Sequence, residues 1–528
     1  MSSQPGTVAE LYAHAAEAGC RVFTDAGAVD VAQLNDESRR LAGGLRELGV
    51  GPGDRVAVWM PNVSAYMSLH AACGRLGAIM VAVNTRFGAA EIADIVGRSE
   101  ARVLVTQPEV RGVDYFTTLR DVVPESLPAL RHLVTVGGAA DRPPPWPAVA
   151  VGAFEDLAGA AAMEKAAGGP DDLVNIFTTS GTTSAPKFAA HRQAGVVGHA
   201  FDVAGVLEMN AGSVSLQLLP FCGVFGFTQA MAALAVGAAT VMPAGIDAAE
   251  AVRLARDHGA THLFTSDDLL QRMLEAAGSE PPAPALRYCL FGGFNSWLSD
   301  LPARAEAAGV PMVAPFGMSE VMALFAARRL DEATEERHRA GGRLVNAQAR
   351  VRARDPETGR LCPHGEAGEL EIRGPNMFAA YFGDAQATQA AFTEDGFLRT
   401  GDLGYTEAGD AFTYLQRMND TLRLSGFLVA PAEIEAAVMS HPAVRDAQVV
   451  AAGTAKGNRP VAFVIPEAGA AMDETAVIGH CGARLPKFKT PVRVVQVADF
   501  PVTRGPNGTK IQRTRLREMA EALLAEPG

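Results

Sequence analysis

Residues 177–191 read FTTSGTTSAPKFAAH, and the role of this segment decides how the chain around it must fold. An apolar lead-in gives way to a run of Ser and Thr hydroxyls, one glycine (Gly181) and one lysine (Lys187). Glycine lets backbone approach an anion closely, hydroxyl and amide groups can contact phosphate oxygens, and an ammonium adds a mobile point charge. The same composition also describes a polar surface turn. The segment is not a Walker A loop, because no Gly-Lys-Ser/Thr occurs in it. On its own it leaves both readings open, and the rest of the chain has to separate them.

At 528 residues the chain exceeds what one hydrophobic core organises, so two or more domains are expected. A hydrophobic content of 48% describes a soluble globular protein. A formal charge of −13 offers no footprint for nucleic acid or an anionic membrane, so anionic ligands need local basic groups. The opening residues lack a basic flank followed by an apolar core. The longest membrane-like run, MAALAVGAATVM from Met231, is too short to span a bilayer as a helix. A cytoplasmic location is expected. Cys20, Cys73, Cys222, Cys289, Cys362 and Cys481 have no metal-ligand spacing and read as reduced, mostly buried thiols rather than a zinc or disulfide framework.

Outward from the opening segment, helical periodicity alternates with short apolar runs. AQLNDESRRLAGGLRELG predicts a helix, DRVAVWM a strand, and AYMSLHAACGRLGAIMVAVN a helix and a strand. AVRLARDHGATHLFTS, LLQRMLEAAG and LRYCLFGG continue the alternation expected of α/β units with crossover helices. From about residue 341 to 414 the texture changes to short strands and Gly-rich turns, which predicts a β-rich subdomain. PAEIEAAVMSH, VRDAQVVAAG and RPVAFVIP then suggest a small α+β domain. The stretch VGGAADRPPPWPAVAVGAF reads as a surface connection. Glu433 and Glu435 read as structural, and Asp267 and Asp268 as a helix start.

Several further segments occur in one order. FGMSE (316–320), GELEIRGPNMFAAYF, RTGDLG, QRMNDTLRLSGFLVAPAEIE (416–435) and PVTRGPNGTKIQR near the C-terminus follow the opening loop. Taken singly, each reads more simply as a turn, an exposed acid or a solvated loop. As an ordered set covering nearly the whole chain, they resemble the adenylate-forming enzymes: acyl-CoA synthetases, adenylation domains of peptide synthetases and beetle luciferases. The resemblance implies an α/β fold with a large N-terminal domain of stacked α/β subdomains plus a β-rich subdomain (1–416). A small mobile α+β lid domain would follow (417–528), with a hinge at Asp420.

The resemblance implies an ATP site in which Thr179, Ser180, Gly181, Thr182, Thr183 and Lys187 hold the outer phosphates. Ser319 would hydrogen-bond the α-phosphate and Glu320 would hold Mg²⁺, a hard ion suited to oxygen ligands. Phe316, followed by Gly317, would lie against the adenine. Asp402 would accept from the ribose hydroxyls, assisted by Arg417. Lys510 would bridge the substrate carboxylate and the α-phosphate. The implied reaction has two halves: a carboxylate displaces pyrophosphate from ATP to give an acyl-adenylate, and a thiol then displaces AMP. Ser425 and Gly426 would face the second half, where glycine lets a pantetheine arm pass.

The segment LPFCGVFGF resembles the wall of the family's acyl pocket, with Gly223 where a larger side chain is common. Phe221, Gly223, Phe264, Phe291, Gly293, Phe294, Trp297 and Met322 are the candidate lining groups. A missing side chain there favours a bulky or long apolar acid, unless Phe221, Phe225 or Phe227 refills the space. The segment also lacks an acid to meet an α-ammonium, which disfavours amino acids. The expected acceptor is CoA, with a carrier protein's phosphopantetheine as the alternative. A non-catalytic nucleotide- or acyl-binding relative is the alternative of another class, and a homodimer is a family-level expectation.

The sequence departs from the family at Ser184 and Phe188, where glycine and a small residue are common, and at Gln416, Asn419 and Arg423. A left-handed Ser184 would cost about 1–2 kcal/mol. Ser184 and Phe188 are therefore the positions at which the loop is expected to grip ATP differently.

Overall fold

The computed structural model describes residues 4–525 except 111, 139–144, 180–185, 244, 246, 293–299, 419–421, 425, 426, 430, 455, 456, 506 and 507. Two α/β sheets are built mainly from its first 300 residues, with Met312–Val313 and Ala380–Tyr381 adding an edge strand to each. One has seven strands, in which His262–Ser266, Tyr288–Gly292, Val214–Leu216 and Ala239–Val241 run parallel. The other has eight, with Ile79–Ala82, Arg55–Trp59, Val103–Thr106 and His132–Thr135 parallel at its centre. Helices Ser64–Leu76 and Val224–Ala235 are buried on every side. A helix covered all round belongs between layers. One apolar cluster accordingly joins strands of both sheets through these helices, including Val22, Met80, Val174, Phe264 and Leu290.

The expected change of texture is a third, seven-stranded sheet, antiparallel throughout, running from Pro315–Phe316 at one edge to Arg350–Arg354 at the other. It has its own core around Phe316, Phe325, Leu370 and Phe412. Residues 422–525 supply two further clusters of their own, around Ile434, Val449 and Val464 and around Phe463 and Leu516. Here the strands Val444–Thr454, Gly457–Pro466 and Arg493–Gln496 form a sheet with helices beside it. Glu435 is buried, ion-paired to Arg513 at 2.9 Å and accepting from Val449 N, so its role is structural. Ser266 caps the helix that starts at Asp267.

One reading from composition is corrected. The Pro-rich tract around residue 146 is not merely a surface connection: Trp146 is 2% exposed in the core under the eight-stranded sheet, and its indole N–H donates to Val122 O at 3.0 Å. The following strand Ala150–Ala153 extends that sheet. Proline and glycine content described the backbone of the tract and hid the large apolar side chain that anchors it.

Candidate active site

The strand Leu173–Thr178 lies parallel to Ile79–Ala82 and antiparallel to Phe188–Arg192, with Thr178 opposite Phe188. The chain between them leaves and re-enters at the carboxyl end of the sheet, the usual ligand side of such sheets. Just past the ladder, Thr179 N donates to Lys187 O (2.9 Å) and Lys187 N to Thr179 Oγ1 (3.2 Å), closing the loop at its base. Ser180, Gly181, Thr182, Thr183 and Ser184 lie outside the described residues. Lys187 is exposed, with its ammonium 4.6 Å from the centroid of the Tyr381 ring.

Phe188, one of the two departures in the loop, is absorbed by the core. It is 2% exposed, packed in the cluster that holds Trp59, Ile176 and Trp146, and covered by Arg98, whose guanidinium carbon sits 4.3 Å from the ring centroid. The same guanidinium donates to Pro186 O at 2.7 Å and is held by Asp94 through two 2.8 Å contacts one helical turn away. Arg98 thus pins the lysine-bearing limb of the loop to the helix Ala89–Arg98. Arg98→Ala is expected to cost about 1–2 kcal/mol. It should lower the urea midpoint and speed amide exchange at Phe188, and Arg98→Lys should recover only part of this.

The FGMSE segment is a tight hairpin. Pro315–Phe316 pairs with Ala326–Ala327, Phe325 N donates to Phe316 O, and Val321 N and Ala323 N both donate to Met318 O. A Cβ at Gly317 would lie 1.0 Å from Ala323 O, so only glycine fits. Met322 (φ +53°) and Ala323 (φ +70°) are both left-handed, a strain of about 1–2 kcal/mol each. Their carbonyl neighbours are tied down in return. Met322 O accepts from His199 Nε2 (3.1 Å) and Thr228 Oγ1 (2.8 Å), Val321 O from Asn376 Nδ2 (2.8 Å), and Ser319 O from His191 Nε2 (2.8 Å).

These bonds hold the one-turn helix Ser319–Val321, which presents Glu320. The Glu320 residue is 6% exposed, and its Oε1 accepts from the Tyr381 hydroxyl at 2.7 Å. Burial and the adjacent Glu320 carboxylate push the Tyr381 phenol up, while the Arg417 guanidinium acts the other way, so the phenol stays a proton donor.

Burial lowers His191 to about 4 and His199 to about 3, and His70 in the same core to about 4. Each is therefore neutral near pH 7. Because the folded values lie below the unfolded value of about 6.5, the unfolded chain binds more protons in between, and stability falls with falling pH. The urea midpoint of wild type is expected to be flat above about pH 6.5. It should then drop by the equivalent of several kcal/mol as pH falls from there through about 4.

On the third sheet, Asp402 stands opposite Arg417. The Asp402 residue is 1% exposed, its Oδ1 is 3.0 Å from Arg417 Nε, and its amide donates to Thr400 Oγ1. Arg417 also reaches Thr400 O at 3.2 Å. Gly401, at φ +68°, sits within the strand Leu398–Glu407 where its register against Gly368–Arg373 shifts, just before Asp402. Phe316 is buried against Phe412 (5.0 Å, edge-on) and Tyr414 (5.6 Å).

The acyl-wall candidates among the described residues lie in the core. Phe221 packs on Tyr66 at 5.2 Å, Phe264 on Phe225 at 4.8 Å, and Phe291 and Met322 are buried. Gly223 is the N-cap of the helix Val224–Ala235. Gly293, Phe294, Trp297, Asp420, Ser425 and Gly426 lie outside the described residues. Lys510 is on the strand Gly508–Ile511, opposite Thr503, and its side chain is outside them too.

Of the expected site residues, Lys187 and Glu320 are brought onto one side chain, Tyr381, with Ser319 beside Glu320 and the Asp402–Arg417 pair linked electrostatically through Arg417. Sequence reasoning missed Tyr381, His191, His199, Thr228, Asn376 and Arg98, since each acts through a partner distant in sequence. Only His191, four residues past Lys187, carries a local hint.

The residues present fit a magnesium nucleotide. Among the described residues no group of three or more His, Cys, Asp or Glu is arranged to hold a metal. A divalent ion at Glu320 would thus rely on one carboxylate plus phosphate oxygens, the mode Mg²⁺ uses with nucleotides. Asp402 offers a buried, acceptor-only carboxylate of the kind a diol recognises.

The family model described as AMP-binding enzyme matches residues 13–382, and that described as AMP-binding enzyme C-terminal domain matches residues 433–505. A sulfoacetate–CoA ligase of Cupriavidus necator is 30% identical over 475 residues, 89% of this chain and 88% of that protein. A methyl-dioxo-octahydroindenyl-propanoyl:CoA ligase of Mycobacterium tuberculosis is 30% identical over 494 residues, 92% and 93% of the two. Among solved structures, ATP-bound MatB from Rhodopseudomonas palustris superposes with a TM-score of 0.83 at 24% identity, covering 98% of this chain and 99% of that one. That likeness is one of fold.

Proposed function

This chain belongs to the AMP-binding enzyme family, and we propose that it is an AMP-forming acid:CoA ligase for a bulky or long apolar carboxylic acid. The family's chemistry draws on ATP, Mg²⁺ and CoA. The observation that carries the reading is the Lys187–Tyr381–Glu320 arrangement at the carboxyl end of the sheet, with Arg417, the ion-pair partner of Asp402, acting electrostatically on Tyr381. It supports a site in which a cation meets the outer phosphates, one carboxylate meets the metal and another meets the ribose.

In this reading Thr179, Ser180, Gly181, Thr182, Thr183 and Lys187 bind the phosphates, Ser319 the α-phosphate and Glu320 the Mg²⁺. Asp402 and Arg417 take the ribose, and Phe316 and Gly317 border the adenine. Mg²⁺ supplies charge neutralisation between phosphate oxygens. Lys510 offsets the charge where carboxylate and α-phosphate meet, and the first half ends with an acyl-adenylate and pyrophosphate. The boundary between domains lies at residue 416–417 with Asp420 as hinge, and Gly426 borders the thiol's path.

The named relatives differ too widely in their acids to choose one for this chain. The choice of an apolar acid rests instead on Phe221, Gly223, Phe264, Phe291, Gly293, Phe294 and Met322, among which no charged group occurs. Phe221 faces Tyr66, Phe225 faces Phe264 and Phe227 faces Phe177, so each phenyl ring beside Gly223 already has a partner.

The test is pyrophosphate release from ATP with a panel of acids, followed by mass spectrometry for a thioester after adding CoA. Release with long or bulky apolar acids and a CoA thioester is the expected result. No release with any acid of the panel would overturn the ligase reading, and a thioester only on a phosphopantetheinylated carrier protein would replace CoA as acceptor.

A further inference from the structure

Tyr381 belongs to none of the groups that bind or react in the reading above, yet it touches two of them. Its backbone is fixed by the phosphate-loop strand itself: Ala380–Tyr381 pairs with Phe188–Arg192, Tyr381 standing opposite Ala189. On either side, Ala379 N donates to Ala190 O (2.7 Å) and Phe382 N to Phe188 O (2.8 Å). Upstream, Phe378 N donates to Glu320 O at 2.7 Å, which ties the FGMSE turn to the same strand. The side chain is 7% exposed and rests on Phe378, ring centroids 4.7 Å apart.

A buried tyrosine that only fills space usually donates its hydroxyl to a backbone carbonyl. Tyr381 instead donates to Glu320 Oε1 and offers its ring face to the Lys187 ammonium. Lys187 and Glu320 carry opposite charges on adjoining elements, and among the described residues no ion pair joins them. A lysine and a carboxylate left next to each other in a half-buried cleft would pair directly. Each would then satisfy the other instead of a phosphate and a metal ion. The aromatic ring separates them while giving each a weaker, reversible partner: a π face for the cation and one hydroxyl for one carboxylate oxygen.

We propose that Tyr381 is a positioning residue that keeps Lys187 and Glu320 apart and aimed, holding the phosphate-binding cation and the metal-binding carboxylate available for a magnesium nucleotide. The inference rests on the reading of Lys187 and Glu320 given under the proposed function. Two substitutions separate its parts. Tyr381→Phe keeps the spacer and loses the hydroxyl, whereas Tyr381→Leu removes the π face and lets the charges meet.

The experiment is calorimetric binding of ATP to the full chain at varied Mg²⁺, with Mn²⁺–ATP followed by electron paramagnetic resonance as a view of the metal alone. Tyr381→Phe is expected to raise the half-saturating Mg²⁺ about tenfold, with little change in ATP affinity at saturating Mg²⁺. Tyr381→Leu is expected to weaken ATP binding about ten- to a hundredfold even at saturating Mg²⁺. Adding Lys187→Met to Tyr381→Leu should then cost little more, because the lysine is already sequestered. Additive losses in the double variant, or Tyr381→Phe with the Mg²⁺ dependence of wild type, would overturn the inference. Failure of wild type itself to bind ATP with Mg²⁺ would instead sink the underlying ligase reading. If Tyr381→Leu does not fold, the Tyr381→Phe titration alone decides.

Discussion

Lys510→Ala is expected to abolish acyl-adenylate formation while largely sparing thioester formation from a supplied acyl-adenylate. The first half brings a carboxylate against an already charged α-phosphate, and a positioned cation is worth most where two anions must meet out of water. A loss of about a hundred- to a thousandfold in pyrophosphate release is the expected scale. The second half needs no such cation, because a neutral acyl carbon is attacked by a thiol. Lys510 sits on a two-stranded hairpin, Val502–Gly505 with Gly508–Ile511, whose pairing is made by backbone groups. The substitution should therefore leave the melting temperature within a degree or two of wild type. Equal loss of both half-reactions would refute the assignment.

Glu320→Gln is the second large effect. Glutamine keeps the shape and an acceptor oxygen for the Tyr381 hydroxyl, so the FGMSE turn, held by His191, His199, Thr228 and Asn376, should be preserved. What disappears is the negative charge that a hard cation requires. Pyrophosphate release should fall by about two to three orders of magnitude and lose its saturable dependence on Mg²⁺. Rapid-quench measurement of the first half across a Mg²⁺ titration is the check. Retained wild-type Mg²⁺ dependence would remove Glu320 from the metal's ligand set. Glu320→Ala is a poorer test, since it leaves a buried phenol without its acceptor and adds a stability cost.

Much of this is legible in the amino-acid sequence. The alternation of helical and strand periodicities pointed to α/β units, the Gly-rich texture after residue 341 to a β-rich subdomain, whose sheet in fact begins earlier at Pro315–Phe316, and the ordered segments to the family. Periodicity works at that range because a strand or amphipathic helix writes its buried face into its own neighbours. The reading failed where a single side chain outvoted the composition of its surroundings, as Trp146 does inside a Pro-rich tract. It was also incomplete at Phe188. The sequence showed an unusual residue in the loop, but not that Arg98 and the core under the sheet absorb it.

The opening segment FTTSGTTSAPKFAAH therefore divides in two. Its hydroxyls, its glycine and Lys187, together with FGMSE, RTGDLG and NGTKIQR far along the chain, determined by themselves what kind of chemistry the protein carries. That information lies in the order of the segments along the chain, since each alone reads more simply as a turn or a solvated loop. Only the tertiary structure decided how the parts are held relative to one another. Tyr381 reaches Glu320 across 61 positions of sequence, and His191 reaches Ser319 across 128. Such contacts arise from strand order and sheet register, which no residue encodes alone, and they set the spacing between cation and carboxylate.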